Sequence, residues 1–164
     1  MLHRLIVSTA LFSLCLLAAI PTRAAAPGQP PLQALVPGPQ QPLDLARYMG
    51  RWYVIARVPN PVERGHVGSY NEYRLDADGD VRITYHYREG LDAAEQQLRL
   101  RATVNPDSGN RRWRTWFYKV VPTRTEVLEV APDYSWALIG YPGREMGWVV
   151  SREPDIDPVL YRQL

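Results

Sequence analysis

The chain has 164 residues, of which 46 % are hydrophobic and 22 % are charged. This composition, which includes five Trp and ten Tyr, excludes a disordered chain and fits one domain with its own core. A single cysteine, Cys15, excludes an intramolecular disulfide, a thiolate zinc cage and an iron–sulfur site.

Residues 1–26 have the pattern of a secretory signal peptide. His3 and Arg4 precede an apolar run over 5–20, and 24–26 are alanines of the kind found at cleavage sites. The run is shorter than the roughly 20 residues that span a bilayer, which favours cleavage over a permanent anchor. Because Leu14 precedes Cys15 where a lipoprotein signal has a small residue, we do not expect a lipid on Cys15.

Cleavage would change the charge of the working protein. Loss of Arg4 and Arg23 leaves 17 basic residues against 17 acidic ones, so net charge offers no argument for a nucleic-acid partner. We expect export to the periplasm, with outer-membrane association and peripheral membrane contact left open. Residues 27–42 carry six prolines and predict a stiff, extended lead-in to a folded domain over 43–164.

From residue 43 onward the hydrophobic pattern has a period of two, which is typical of strands. Alternation is clearest in 81–88 and 98–104. Short helical turns are predicted at 44–49 and 157–164. The eight predicted strands cover 50–58, 68–75, 81–88, 97–104, 113–120, 126–131, 135–141 and 147–152.

The connections between these strands are mostly tight, including one at Pro122-Thr123, and this predicts an antiparallel up-and-down meander. Eight such strands can close into an all-β barrel, which removes the sheet edges and leaves room for one small ligand. Strand directions place Trp52, Tyr134 and Arg152 at one end of the barrel. The longer connections 59–67 and 89–96 share the other end.

The residues at the first end carry a family resemblance. The segment 43–53, with Gly50-Arg51-Trp52 at its centre, resembles the opening G-x-W signature of the lipocalins. Asp133-Tyr134 is similar to part of the second lipocalin motif, and 148–152, ending in Arg152, resembles the third. The segments 55–59 and 63–65 are similar to the bacterial outer-membrane lipocalins and their apolipoprotein-D-like relatives.

The resemblance implies an eight-stranded barrel with a short C-terminal helix that binds small hydrophobic molecules. It implies fatty acids or lysophospholipids, transported or stored in the bacterial envelope, without a cofactor and without catalysis. It further implies that Arg152 stacks on Trp52 and that Gly50, Asp133 and Tyr134 serve the fold rather than the ligand. The C-terminal helix is shorter than is usual in the family, and the wall it leaves exposed makes a homodimer an alternative to a monomer.

Ligand-lining residues should come from the inward face of each strand. On the fifth strand the inward set is either Trp113, Thr115 and Phe117 or Trp116 and Tyr118. The predicted pocket residues are Ile83, Tyr85, Tyr87, Trp113, Phe117, Trp136, Leu138 and Met146. Polar residues predicted at the pocket mouth, where a carboxylate or phosphate could be bound, are Arg57, Arg64, His66 and Arg88.

Two further patterns each allow a second functional interpretation. The basic and aromatic run 111–119 could stack single-stranded nucleic acid, but a strand with outward arginines paired to Glu126 and Glu129 is favoured, and no nucleic acid is expected. His66 and His86 lie on different elements, so no metal site is expected. Two alternatives stay open: a barrel filled by side chains that binds a partner protein, and an enzyme with a buried carboxyl group in the pocket.

Overall fold

The computed structural model describes residues 41–117, 121–141, 143 and 146–164. Eight strands in this part of the chain form a closed barrel in which each strand pairs antiparallel with the next and the last pairs with the first. This confirms the predicted all-β barrel. The strands are β1 (Gly50–Arg57), β2 (Val67–Leu75), β3 (Val81–Arg88), β4 (Gln96–Asn105), β5 (Arg112–Phe117), β6 (Val121–Val130), β7 (Trp136–Gly140) and β8 (Gly147–Ser151).

Two short helices flank the barrel in sequence. The first, α1 (Leu45–Tyr48), begins after Asp44, whose side chain accepts a hydrogen bond from the backbone N–H of Arg47. The second, α2 (Pro158–Gln163), begins after Asp157 in the same way. Within the described ranges neither helix is long and apolar enough to cross a membrane.

The core lies inside the barrel and extends to the segment before α1. Leu43 is 1 % exposed and belongs to the same cluster as Trp52 and Val150, so the packed domain includes the residue at which it was predicted to begin. The backbone N–H of Leu43 donates to the carbonyl of Gly109, which joins this segment to the β4–β5 connection. The proposed signal peptide 1–26 and the lead-in as far as residue 40 lie outside the described residues.

The register determines which side chains enter the barrel. Alternation along β3 is regular, with Val81, Ile83 and Tyr85 buried and the residues between them more exposed. The pairing shifts between Val54 and Ala56 on β1 and between Val127 and Glu129 on β6. Each shift reverses the alternation of inward and outward side chains along the rest of the bulged strand.

One connection differs from the prediction. Pro122 and Thr123 lie in β6, opposite Trp116 and Thr115 of β5, and do not form the turn between these strands. β6 begins at Val121 rather than at residue 126. A proline close to the start of a strand is compatible with pairing, so the Pro-Thr signal was misread as a turn.

Candidate functional site

Trp52 closes one end of the barrel, together with Arg152. The Trp52 ring is fully buried, and its Nε1 donates to the carbonyl oxygen of Tyr48 at 2.7 Å. The guanidinium carbon of Arg152 lies 3.9 Å from the centroid of the Trp52 ring. The same guanidinium donates to the carbonyls of Arg47 at 2.6 Å and Arg51 at 2.8 Å. A cation–π stack and two charge-assisted hydrogen bonds thus join β8 to α1 and β1.

The backbone at Gly50 explains why a glycine precedes this stack. Gly50 has a φ of +96°, in a region that residues with a Cβ avoid. A Cβ at this position would lie 3.2 Å from Nη1 of Arg152. Glycine at this position therefore allows the positive φ at the start of β1 and leaves room for the guanidinium of Arg152.

Asp133 and Tyr134 hold the β6–β7 connection at the same end. The Asp133 carboxylate accepts from the backbone N–H and the hydroxyl of Ser135, and these bonds lower the pKa of Asp133. The Tyr134 hydroxyl accepts from the backbone N–H of Asp44 at 2.9 Å, and Arg47 stacks on the Tyr134 ring at 4.1 Å. These contacts all join segments of the protein to one another.

Four aromatic rings fill the barrel just above this closed end. Tyr48 contacts Trp52, Tyr73 and Trp113 at ring-centroid distances of 4.9, 5.6 and 5.5 Å. Burial raises the pKa of the Tyr48 and Tyr73 phenols well above the usual value. We call these four residues the aromatic plug. Trp113, predicted to line the pocket, belongs to this plug and forms the floor of any ligand space.

The middle of the barrel is lined by apolar side chains and one phenol. Cross-strand pairs place Ile83 beside Leu100 and Tyr85 beside Leu98, all on the inward face. The Tyr85 hydroxyl donates to Oγ of Ser69 at 3.1 Å, and burial raises the pKa of Tyr85 to about 12. Tyr85 therefore remains a neutral hydrogen-bonding group at physiological pH.

At the open end, the β1–β2 connection is held against the barrel by His66. The His66 ring stacks on Tyr87 with centroids 3.9 Å apart, and its Nδ1 lies 3.0 Å from the Tyr85 hydroxyl. Arg57 donates to the backbone carbonyls of Glu63 and His66 at 2.9 and 2.7 Å. The connection is thus a structured rim.

The rim also contains a carboxylate, Glu63, that the sequence did not single out as functional. Its Oε2 accepts from Nε1 of Trp148 at 2.8 Å and from Nδ2 of Asn60 at 2.7 Å, and it lies 3.8 Å from Nε of Arg57. Only 14 % of the Glu63 side chain is exposed. No periodic pattern marks a residue in an irregular connection. Trp148, by contrast, lies two residues before buried Val150 on β8, so the alternation of this strand could have identified it as an inward residue.

The structure places the predicted pocket residues in different locations. Ile83, Tyr85 and Tyr87 share the inward face of β3, and Met146 is half-buried in the β7–β8 connection. Phe117 ends β5, opposite Val121. Trp136 and Leu138 flank fully buried Ala137 and therefore lie on the outer face of β7. Ala137 and Ile139, which pair with Val130 and with buried Val127 of β6, form the inward face of β7 instead.

Three of the four predicted mouth residues come together. Arg57 and Arg64, with Asn60 and Glu63, line a groove of about 360 Å³ at the open end, and His66 is bonded to the same connection. Arg88 is exposed and alternates with inward Tyr87, so it lies on the outer face.

A second groove, of about 530 Å³, lies outside the barrel beside α2. Trp136, Arg152 and Leu160 contribute to its lining, together with the carboxylates of Asp133 and Asp155. Its residues belong to the closed end, so this groove is separate from the barrel interior.

Comparisons with known proteins agree with this geometry. A family model described as "Lipocalin-like domain" matches residues 43–164. The chain is 30 % identical to temperature-induced lipocalin-1 of Arabidopsis thaliana, over 74 % of this chain and 69 % of that protein. It is 26 % identical to the outer membrane lipoprotein Blc of Citrobacter freundii, over 74 % of this chain and 68 % of that protein.

Solved structures show the same fold. Insecticyanin from the tobacco hornworm Manduca sexta superposes with a TM-score of 0.58 at 18 % identity, over 74 % of this chain and 70 % of that one. Its barrel supports the architecture seen here. With the family model covering the whole barrel and Arg152 stacked on the tryptophan of a G-x-W segment, the chain belongs to the lipocalin family.

Proposed function

We propose that this lipocalin binds fatty acids or lysophospholipids, with the acyl chain inside the barrel and the head group at the open end. Lipocalins bind small hydrophobic ligands, and the barrel is suited to an amphiphile because its lining changes along its axis. Apolar residues such as Ile83 and Leu100 line the middle, whereas Arg57, Glu63 and His66 gather at one end. This separation of apolar and polar groups is the observation that carries the proposal.

The proposed role is transport or storage without catalysis. The polar side chains at the open end bond to one another and to the backbone: Arg57 to carbonyls, Glu63 to Trp148 and Asn60, and Tyr85 to Ser69. Such a network supports a rim that orients a head group. Burial of the acyl chain would supply most of the affinity, at about 0.8 kcal/mol per methylene.

The test is displacement of a fluorescent fatty acid from the purified protein by palmitate and by lysophosphatidylcholine. Leu98→Trp fills the interior beside Tyr85, and Arg74→Trp adds the same side chain to the exposed outer face of β2. We expect micromolar or tighter binding that is at least about tenfold weaker in Leu98→Trp, a loss of about 1.4 kcal/mol, and unchanged in Arg74→Trp. If tryptophan at this position prevents folding, Leu98→Phe is the replacement variant for the same test.

Two results would overturn this proposal. One is the absence of binding by either lipid at micromolar concentration, which would leave a filled barrel that binds a partner protein. The other is equal binding by Leu98→Trp and Arg74→Trp, which would place the lipid outside the barrel.

We further propose that the protein acts in the bacterial envelope after export. The support is the signal-like pattern of residues 1–26 and the similarity to an outer membrane lipoprotein. Mass spectrometry of the exported protein should show an N-terminus near residue 27. A diacylglycerol adduct on Cys15 would contradict cleavage after the alanines and indicate a lipid anchor.

A further inference from the structure

The outer face of strands β4 to β6 carries a concentration of arginines. Cross-strand pairing puts Arg101 opposite Trp116, and Arg114 opposite Arg124. Arg99 lies two residues before Arg101 on the same face of β4. We call Arg99, Arg114, Trp116 and Arg124 the basic face. Arg101 lies among them, but its charge is offset by ion pairs to Asp78 at 2.5 Å and Asp80 at 2.6 Å.

The arginines of this face are not balanced as the sequence predicted. Arg112 pairs with Glu126 as expected, but Glu129 lies opposite Leu138 of β7. Within the described part of the chain Arg99, Arg114 and Arg124 are exposed, and none of them makes an ion pair. Arg111 does not belong to the face, because it is buried and donates to the carbonyls of Val127 and Gln41.

The pairing of Arg114 with Arg124 is unfavourable for the isolated protein. Directly opposed side chains in an antiparallel pair have Cβ atoms about 5 Å apart, and like charges at that distance are destabilising. An anion that bridges the two guanidinium groups would relieve this repulsion, and arginine forks match phosphate oxygens well.

Acidic residues are concentrated on the other side of the molecule. Four carboxylates and two guanidinium groups line the groove beside α2, next to β8, so this groove is acidic on balance; they are Asp133, Glu153, Asp155, Asp157, Arg47 and Arg152. In a closed barrel of eight strands β8 lies across from β4, so the acidic groove and the basic face lie on opposite walls of the barrel. This separation would orient the protein on a charged surface.

We propose that the basic face docks the barrel on an anionic lipid surface. The arginines are spread over three adjacent strands, and such an arrangement matches the two-dimensional array of phosphates at a lipid surface. Trp116 is half-buried among them, and tryptophan is favoured at the boundary between apolar and aqueous phases. A nucleic-acid surface would use several stacking rings, whereas Trp116 is the ring that the described residues place on this face. The inference does not depend on the lipid proposed for the interior.

The test is co-sedimentation of the purified protein with phosphatidylglycerol vesicles, with phosphatidylcholine vesicles as the neutral surface. Arg114→Glu converts the Arg–Arg pair into a Glu–Arg pair, so its melting temperature should not fall. Arg162→Glu on α2 is the matched control, since it changes the charge equally at an exposed site away from the face. Arg124→Glu is a second variant of the same pair.

We expect binding to phosphatidylglycerol vesicles that is lost at high salt, is about tenfold weaker in Arg114→Glu and is unchanged in Arg162→Glu. Equal binding to both kinds of vesicle, or equal losses in Arg114→Glu and Arg162→Glu, would overturn the proposal. So would the absence of vesicle binding combined with Arg114-dependent binding of a single-stranded oligonucleotide, which would identify the face as a nucleic-acid surface.

Discussion

Arg152 stabilises the closed end through three partners at once, and this distinguishes a structural arginine from a ligand-binding one. Its guanidinium covers the Trp52 ring, and two of its N–H groups donate to backbone carbonyls, so these contacts are all made to the protein itself. Trp52 is in turn fixed by the bond from its Nε1 to Tyr48. The aromatic plug, to which Trp52 belongs, separates Arg152 from the open end, where a head group would bind.

Replacement of Arg152 by alanine should lower stability and leave ligand affinity nearly unchanged. Loss of the stack and of two charge-assisted hydrogen bonds is expected to cost about 2–4 kcal/mol. Thermal unfolding and lipid displacement on the same preparation provide the measurement. Arg152→Lys should recover only part of the loss, since an ammonium group cannot reproduce the planar fork. A large loss of affinity at unchanged melting temperature would assign Arg152 to the ligand site.

Glu63 places a negative charge at the rim through which a ligand would enter. Its carboxylate is mostly buried and is bonded through Oε2 to Trp148 and Asn60. Arg57, whose Nε lies 3.8 Å from Oε2, offsets part of this charge. The remainder disfavours an anionic head group at the same end, whereas a zwitterionic head group has an ammonium group to offset it.

Glu63→Gln should therefore favour fatty acids over zwitterionic lysophosphatidylcholine. The amide oxygen can still accept from Trp148, so the rim is retained while the charge is removed. We expect fatty-acid affinity to rise about three- to tenfold and lysophosphatidylcholine affinity to change little, since tenfold is about 1.4 kcal/mol. Competition between the two lipids measures the ratio, with Glu153→Gln at the closed end as the control. An equal effect from both variants would mean that the head group binds away from Glu63.

At the scale of strands, a row of contacting side chains, which we call the ladder, connects β1, β2 and β3 on the outer wall. Arg51 stacks on Tyr70 at 4.4 Å, and Tyr70 stacks on His86 at 4.3 Å. Glu72 accepts from Arg51 at 2.7 Å, and Glu95, just before β4, lies 3.1 Å from Nδ1 of His86. The hydrogen bond from Arg51 lowers the pKa of Glu72, and the bond from His86 lowers the pKa of Glu95.

The ladder predicts a stability that depends on acid pH. Because both carboxyl groups have a lower pKa in the folded protein than in the unfolded chain, they stabilise the fold at neutral pH. This stabilisation is lost as the pH falls through their folded-state pKa values. The double variant Glu72→Gln/Glu95→Gln should melt a few degrees below the unchanged protein at pH 7, and the gap should close between about pH 5 and pH 3.

Circular dichroism melts across this pH range are the measurement. Glu89→Gln/Asp92→Asn removes two charges from the same connection, where both residues are exposed, and should show little pH-dependent gap. A gap that persists unchanged at pH 3 would show that the ladder acts through packing rather than through ionised carboxylates.

The strands also show which parts of the fold could be predicted from sequence. β3 has regular alternation, so its bounds and its inward face, Ile83 and Tyr85, followed from the pattern. The barrel followed from tight connections between such strands. The bulge in β6 could not be predicted, because one extra residue leaves no mark on composition. Trp136 and Leu138 were assigned to the wrong face because β7 has apolar residues on both of its faces, so its sequence does not distinguish them. Glu63 was missed because an irregular connection has no period.

At the scale of the whole molecule, the barrel has a closed end, an apolar middle and a polar rim. The plug of Tyr48, Trp52, Tyr73 and Trp113 occupies the section next to Arg152, so a ligand would enter from the end that holds Glu63 and His66. The depth available to an acyl chain is then the distance from the rim to the plug. The fatty-acid length at which affinity stops rising would therefore report the distance from the rim to the plug.

Affinity should rise with the length of a saturated fatty acid and then reach a plateau. Each methylene that enters the apolar section contributes about 0.8 kcal/mol, or roughly fourfold in affinity, until the chain end meets the plug. Displacement assays from octanoate to stearate give the slope and the plateau length, and Leu98→Trp should shift the plateau to a shorter chain because it occupies the same space. Affinity that does not depend on chain length would mean that the interior is filled by side chains and that only the head group is recognised.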